Sequence, residues 1–239
     1  VLLAPVLALS AQTVAVSSHP EPVTVRVVES DVARTVLEYS VGSFTRSPVE
    51  IGDETFYTIG LGDESAVLEK GLPDVPNVCR SIVIPDDARM SVRVLSSRYT
   101  DYEGVKVAPS KGSLPRTVDP STVDYSFDSF YTDDGWYPSE LAYGREPYVM
   151  RDIRGMVVVL NPIQYNPSTE TLRVYDSVTI EIEESGPGRV NVLKSRPARL
   201  NAEFAKIYRQ QFLNYAWTDF GRYPPGPDGG NMLGICYDD

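Results

Sequence analysis

The stretch from Arg154 to Glu183, RGMVVVLNPIQYNPSTETLRVYDSVTIEIE, constrains the fold more than any other. Its second half alternates, with Leu172, Val174, Val178, Ile180 and Ile182 apolar and polar or charged residues between them. A period of two places one set of side chains in a core and the other in water, which is the pattern of an antiparallel sheet. Asn166-Pro167-Ser168-Thr169 is a turn cluster, so the stretch reads as a β-hairpin, with MVVVLNPIQYN as its first arm, followed by more strand.

The same alternation recurs upstream. VTVRVVE at 23–29, Val36–Val41 and Glu54–Ile59 read as strands, with polar turns at Ser47-Pro48 and Gly52-Asp53. KGLPDVPNVCRSIVIP at 70–85 is a proline-bracketed loop leading into a short apolar strand, since proline cannot donate to a ladder. Cys79 falls just before that strand. MSVRVLSSRYTDYEGVKVA at 90–108 reads as two strands, marked by Val92, Val94 and Tyr99, then Val105 and Val107. From Pro109 to Gly144 the pattern weakens into a long acidic, aromatic loop that Tyr125, Phe127 and Phe130 are expected to anchor. Nineteen prolines, seventeen glycines and fifteen tyrosines suit many short strands and turns. One helix stands out, Leu200–Trp217, capped by Asn201 and docking through Leu200, Phe204, Ile207 and Phe212. The expected fold is an all-β, jelly-roll-like antiparallel sandwich followed by that helix.

Composition narrows the chemistry. A net charge of −11 argues against a nucleic-acid partner, whose phosphates need a basic face. A single histidine, His19, excludes a multi-histidine metal site and reads as a solvated tail residue. Asp119, Asp124, Asp128, Asp133 and Asp134 lack the spacing of a calcium loop and read as solvated loop charge. Two cysteines, Cys79 and Cys236, do not make a disulfide framework. No catalytic constellation, metal site or cofactor motif emerges. VLLAPVLALSAQ at the start resembles the end of a signal-peptide apolar region, with cleavage expected before Gln12, and is too short to span a membrane. After Glu183, a breaker cluster and a basic segment (Arg189, Lys194, Arg196, Arg199) precede the helix. Beyond it, RYPPGPDGG reads as an exposed linker, and MLGICYDD as a buried strand opening an α/β domain.

Four pieces of this chain resemble the gingipain-type propeptide that precedes family C25 cysteine peptidases. They are residues 70–110, with a G-x-P-x-x-P loop, an IP-ended strand and an EGV strand; Tyr137-Pro138; the Arg154, Gly155, Pro162, Gln164, Tyr165, Asn166 and Pro167 core; and the helix with the Arg222-Tyr223 junction ahead of MLGICY. The likeness runs from about Val36 to the end. It implies a secreted or cell-surface all-β domain that assists folding of its own downstream cysteine peptidase and keeps it latent until proteolysis. The expected organisation is 1–11 as signal-peptide remnant, 12–188 as sandwich, 189–222 as basic segment and helix leading to the junction, and 223–239 as linker and opening of the peptidase domain that the resemblance implies. The family's Cys–His pair is not carried by these residues, and Cys236 does not take the nucleophile's place. Cleavage is expected between Arg222 and Tyr223. A basic residue is expected to occupy the peptidase's S1 pocket, the candidates being Lys111, Arg116 and Arg145. Two other readings use the same residues: a carbohydrate- or surface-binding sandwich fused to an α/β domain, with Trp136 and Tyr137 stacking on a sugar, or the prodomain of a C25-type sorting peptidase.

Overall fold

The structure, a computed structural model, describes residues 10–19, 21–31, 33–194 and 202–218. Its elements are β1 (Gln12–Ala15), β2 (Val23–Ser30), β3 (Arg34–Val41), β4 (Ser43–Ile51), β5 (Glu54–Gly60), β6 (Val78–Val83), β7 (Ala88–Tyr102), β8 (Ala142–Gly144), β9 (Tyr148–Met150), β10 (Ile153–Leu160), β11 (Ile163–Asn166), β12 (Thr171–Pro187) and α1 (Ala202–Gln211). They form three antiparallel sheets. One has the order β1-β4-β5; in the second, β10 lies between β6 and the short β8 and β9; in the third, the order β11-β12-β3-β2 is joined by β7 on the free side of β12. Their apolar faces share one core, in which Leu37, Tyr39 and Val41 of β3 meet Met156, Val158 and Leu160 of β10 and the alternating residues of β12. This is the antiparallel sandwich that the alternation predicts.

The alternating half of the opening stretch is β12, and all five of its apolar residues are buried. Its first half divides. β10 belongs to one sheet, whereas β11 turns into β12 in the other. The break falls at Asn161-Pro162, where Asn161 leaves the ladder to donate from Nδ2 to the Glu140 carbonyl at 2.7 Å. MVVVL reads as continuous apolar sequence because β10 is flanked on both sides and covered on both faces. β12 changes neighbour from β11 to β3 between Val174 and Ser177, and its pairing with β7 slips at the same point.

Other expectations shift. Ser47-Pro48 is not a turn but the middle of β4; β1 covers only Ser43–Arg46, so at Pro48 the strand has β5 alone beside it and tolerates a missing donor. The 90–108 segment holds one long strand, β7, and then a single parallel bridge from Val107 to Tyr57. Cys79 lies inside β6 as a free, half-buried thiol that burial pushes up from its ordinary value. His19 is half-buried and not in a solvated tail: its backbone and that of Glu21 lie so close to Gly42 that a Cβ there would be 2.3 Å from both carbonyl oxygens. The helix is shorter than expected, and a 3-10 turn at Tyr215–Trp217 follows it. Tyr208 and Phe212 dock it, with Phe204 partly buried, while Ile207 is 42% exposed. Phe204, Tyr208 and Phe212 are four residues apart and share a face, from which Ile207 is rotated by about 100°. Leu200 and Asn201 lie outside the described residues.

Candidate functional site

The residues of the RG…P-x-QYNP core prove to be fastenings. Arg154 is 1% exposed, and its guanidinium donates to four backbone carbonyls: Pro85 and Ala88 at 2.7 Å, Asn191 and Val190 at 2.9 Å. Burial lowers its affinity for the proton, yet an arginine remains charged across the working pH range. Gly155 lets the helix approach, because a Cβ there would sit 2.5 Å from Cε1 of Phe212. Gln164 bridges two segments, donating to the Pro138 carbonyl at 2.6 Å and accepting from the Tyr175 hydroxyl at 3.0 Å. Asn166 closes the hairpin turn by accepting from the Ser168 and Thr169 amides.

The helix seam continues this work. After α1 the chain lies along the free edge of β6: Phe212 forms a parallel bridge with Ser81, and the Leu213 amide donates to the Ser81 carbonyl at 3.0 Å. Fully buried Asn214 then clamps Val83, accepting from its amide at 2.7 Å and donating to its carbonyl at 3.0 Å and to Thr35 Oγ1 at 3.1 Å. Tyr208 donates to Asp152 Oδ2 at 3.3 Å; burial first, then that carboxylate, push its phenol up to about 12. The sequence did not single out Asn214 or Tyr208 as anchors. The spacing of Phe204, Tyr208 and Phe212 was the available signal.

The three basic candidates separate on geometry. Ser110 is buried and paired through its backbone with Gly71 and Leu72, so the loop after Val107 starts from a fixed point. Lys111 is turned back into the loop: Nζ donates to the Pro120 carbonyl at 2.8 Å and lies 4.1 Å from the Tyr125 ring centroid. Arg116 occupies the second position of a β-turn closed by the Val118 amide on the Pro115 carbonyl at 3.0 Å. It is exposed, and no described residue pairs with its guanidinium. Arg145 follows β8 on the edge of the second sheet, its amide donating to the Val157 carbonyl at 2.8 Å, and so lies in a different part of the chain from the turn.

The aspartates of this loop shape it. Asp119 and Asp128 each cap a short 3-10 turn by accepting from the Ser121 and Phe130 amides at 2.9 Å. The Ser121 amide holds the Asp119 carboxyl below its ordinary range. Asn166 and then Ser168 do the same for Asp134 by hydrogen bonding. Among the described residues no group of three or more His, Cys, Asp and Glu is placed to hold a metal. Trp136 is engaged: Arg173 lies between its ring and that of Tyr99, 4.1 Å and 3.9 Å from the two centroids, while holding Asp101 at 2.8 Å. That contact disfavours a sugar platform. Among the described residues no helix is long and apolar enough to cross a membrane. Arg222, Tyr223 and Cys236 lie outside the described residues.

The model of the family Propeptide_C25 matches residues 13–218, the sandwich together with the helix seam. The chain belongs to the C25 propeptide family. Gingipain R1 of Porphyromonas gingivalis is 34% identical over 180 residues, covering 75% of this chain and 17% of that protein. Gingipain R2 of the same organism is 29% identical over 201 residues, covering 84% of this chain and 27% of that protein. The chain thus spans about a sixth to about a quarter of the length of these curated relatives. Among solved structures, the complex of P. gingivalis RgpB pro- and mature domains contains a chain that matches with a TM-score of 0.76 at 29% identity, covering 84% of this chain and 99% of that one. A structure bearing on zymogenic latency of gingipain K matches with a TM-score of 0.61 at 24% identity and supports the fold alone.

Proposed function

We propose that this chain is the latency-maintaining and folding-assisting prodomain of a secreted or cell-surface cysteine endopeptidase, removed by cleavage between Arg222 and Tyr223. The observation that carries this reading is the match, over 84% of this chain and 99% of the other, to a chain from a complex of pro- and mature domains. The partner is the chain's own downstream peptidase domain.

Arg116 is the blocking residue in this reading. A cation must leave water to enter an S1 pocket with a buried acid, and a free guanidinium at a turn apex gives up no existing ion pair in doing so. Lys111 would first surrender the Pro120 carbonyl and the Tyr125 ring. The turn also explains inhibition without cleavage. A peptidase acts on extended backbone, whereas the hydrogen bond from Val118 to Pro115 keeps Arg116 bent, and Pro115 and Pro120 stiffen the flanks. The seam fixes the chain through Thr218, whose Oγ1 donates to the Tyr215 carbonyl at 2.7 Å, four positions before Arg222. The Pro- and Gly-rich stretch after Arg222 suits proteolytic attack. Export through an N-terminal signal before Gln12 belongs to the same reading.

The test mixes the chain, carrying Arg222→Ala to prevent processing, with its separately expressed peptidase domain. Stoichiometric inhibition is expected, with no loss of inhibitory power from Lys111→Ala or Arg145→Ala. Absence of inhibition at equimolar concentration would refute the latency role. In the fused protein, unchanged processing of Arg222→Ala would refute the cut site.

A further inference from the structure

Most arginines that have a side-chain partner among the described residues face a carboxylate. Arg26 pairs with Glu38, Arg34 with Glu29 and Glu181, Arg80 with Glu64, Arg98 with Asp176 and Arg173 with Asp101. Arg46 meets Gln12 instead, and the other departures gather at a cavity of about 650 Å³ where the start of β7, the end of β8, β10 and the segment after β12 meet. Four arginines line it, Arg89, Arg145, Arg154 and Arg189, and among the described residues no acidic side chain does. Arg89 donates only to Ser185, and Arg154 is spent on backbone carbonyls. Arg145 and Arg189 are exposed, and neither guanidinium makes an ion pair or a side-chain hydrogen bond with a described residue. The carboxylates that act on Arg154, those of Asp86 and Asp87, are not part of the lining.

The cavity is also apolar beneath this rim. Met156 is buried and Met90 and Val92 half-buried, so the surface offers a hydrophobic floor under two uncommitted guanidinium groups. A bare anion would leave that floor wetted, and an apolar ligand would leave the cations unused. The chemistry that uses both is a carboxylate next to an apolar side chain. Guanidinium favours carboxylate through two parallel hydrogen bonds, and arginine is enriched in protein interfaces.

We propose that this cavity is a docking site for an acidic peptide segment of a partner polypeptide, one that seats an apolar side chain on Met90, Val92 and Met156 while its carboxylates engage Arg145 and Arg189. The Arg154 clamp is the scaffold of the site, because it ties the 85–88 and 190–191 segments to β10 and so sets the cavity wall. The site is distinct from the turn that carries Arg116, and it needs no enzyme to be tested.

The test titrates the full chain with the blocked peptide acetyl-Glu-Asp-Leu-Phe-Asp-Glu-amide, with the same peptide bearing lysine at each acidic position, and with acetate, following binding by calorimetry at low and at physiological salt. The acidic peptide should saturate, weaken with added salt as screened ion pairs do, and lose at least about tenfold in affinity in the double variant Arg145→Glu, Arg189→Glu. The thermal midpoint of that variant should stay unchanged, since neither guanidinium holds a partner. Equal binding to the variant, equal binding of the lysine peptide or no binding at millimolar concentration overturns the proposal. Saturation by acetate alone would reduce the site to a simple anion pocket. Self-association of the chain that competes with the peptide and is lost in the double variant would make a second copy the occupant. Each of these two results also overturns the proposal. Because the readout is binding and not inhibition, its failure leaves the latency reading untouched, and the converse holds.

Discussion

The helix seam and the Pro115–Val118 turn are opposites. At the seam every polar group is answered: Asn214 meets both backbone atoms of Val83, Arg154 meets four carbonyls, and a phenyl ring fills the space left by Gly155. At the turn a charged side chain is exposed and no described residue holds it. The most specific stretch of sequence therefore marks what keeps the domain together, whereas the residue best placed to act on another molecule sits where the pattern is weakest. Buried satisfied groups tolerate little change, while an exposed apex answers only to its partner.

Substitutions should separate the two regions. The largest effect is expected from Arg154→Met, which strands four carbonyls away from water; a loss of about 3–5 kcal/mol in chemical denaturation is expected. A loss below about 1 kcal/mol would mean that water replaces the guanidinium. Next is Arg116→Ala, which should leave the thermal midpoint within error but weaken inhibition of the peptidase by about 100-fold, as loss of a buried hot spot does; unaltered inhibition would move the role elsewhere. Asn214→Ala should cost about 2–3 kcal/mol by leaving the Val83 amide and carbonyl unpaired, and hydrogen exchange of the Val83 amide should rise with it. If Arg116→Ala destabilises as much as Asn214→Ala, the contrast between the regions fails.

The smallest effect concerns pH. Hydrogen bonds from Arg93 and Arg34 hold the Glu181 carboxyl below the usual carboxylate range. A depressed folded-state value means stability that is fully present above about 4.5, the ordinary value, and fades as pH falls through the lower folded value. The difference in stability between the wild type and Glu181→Gln should therefore be constant near neutrality and shrink below about pH 4.5. A constant difference down to strongly acid pH would show that Glu181 acts through shape and not charge.

Much of this was legible in the sequence, for identifiable reasons. Strands with one wet face declare themselves by alternation, which is why β2, β3, β5 and β12 were readable. β4 was not, because SFTRSPVEI mixes polar residues with a proline that only a one-sided stretch of strand accepts. The division of MVVVLNPIQYN between two sheets was also hidden, since a doubly covered strand and a hairpin arm look alike until their neighbours are known. At the candidate site, the resemblance to the family left Lys111, Arg116 and Arg145 as candidates alike. Only the Pro120 carbonyl and the Tyr125 ring distinguish the tethered cation from the free one, and neither contact has a sequence period.

The Arg154 clamp also bears on the order in which the domain is assembled. Its acceptors lie at positions 85, 88, 190 and 191, on both sides of the arginine and more than a hundred residues apart at the extremes. A chain delivered N-terminus first exposes β10 with its cation well before Val190 and Asn191 arrive, and the helix that covers Gly155 follows later still. Until then half of the carbonyl ring is missing and the edge of β6 is open. The sandwich therefore locks from its C-terminal end, once the clamp and the seam have both closed.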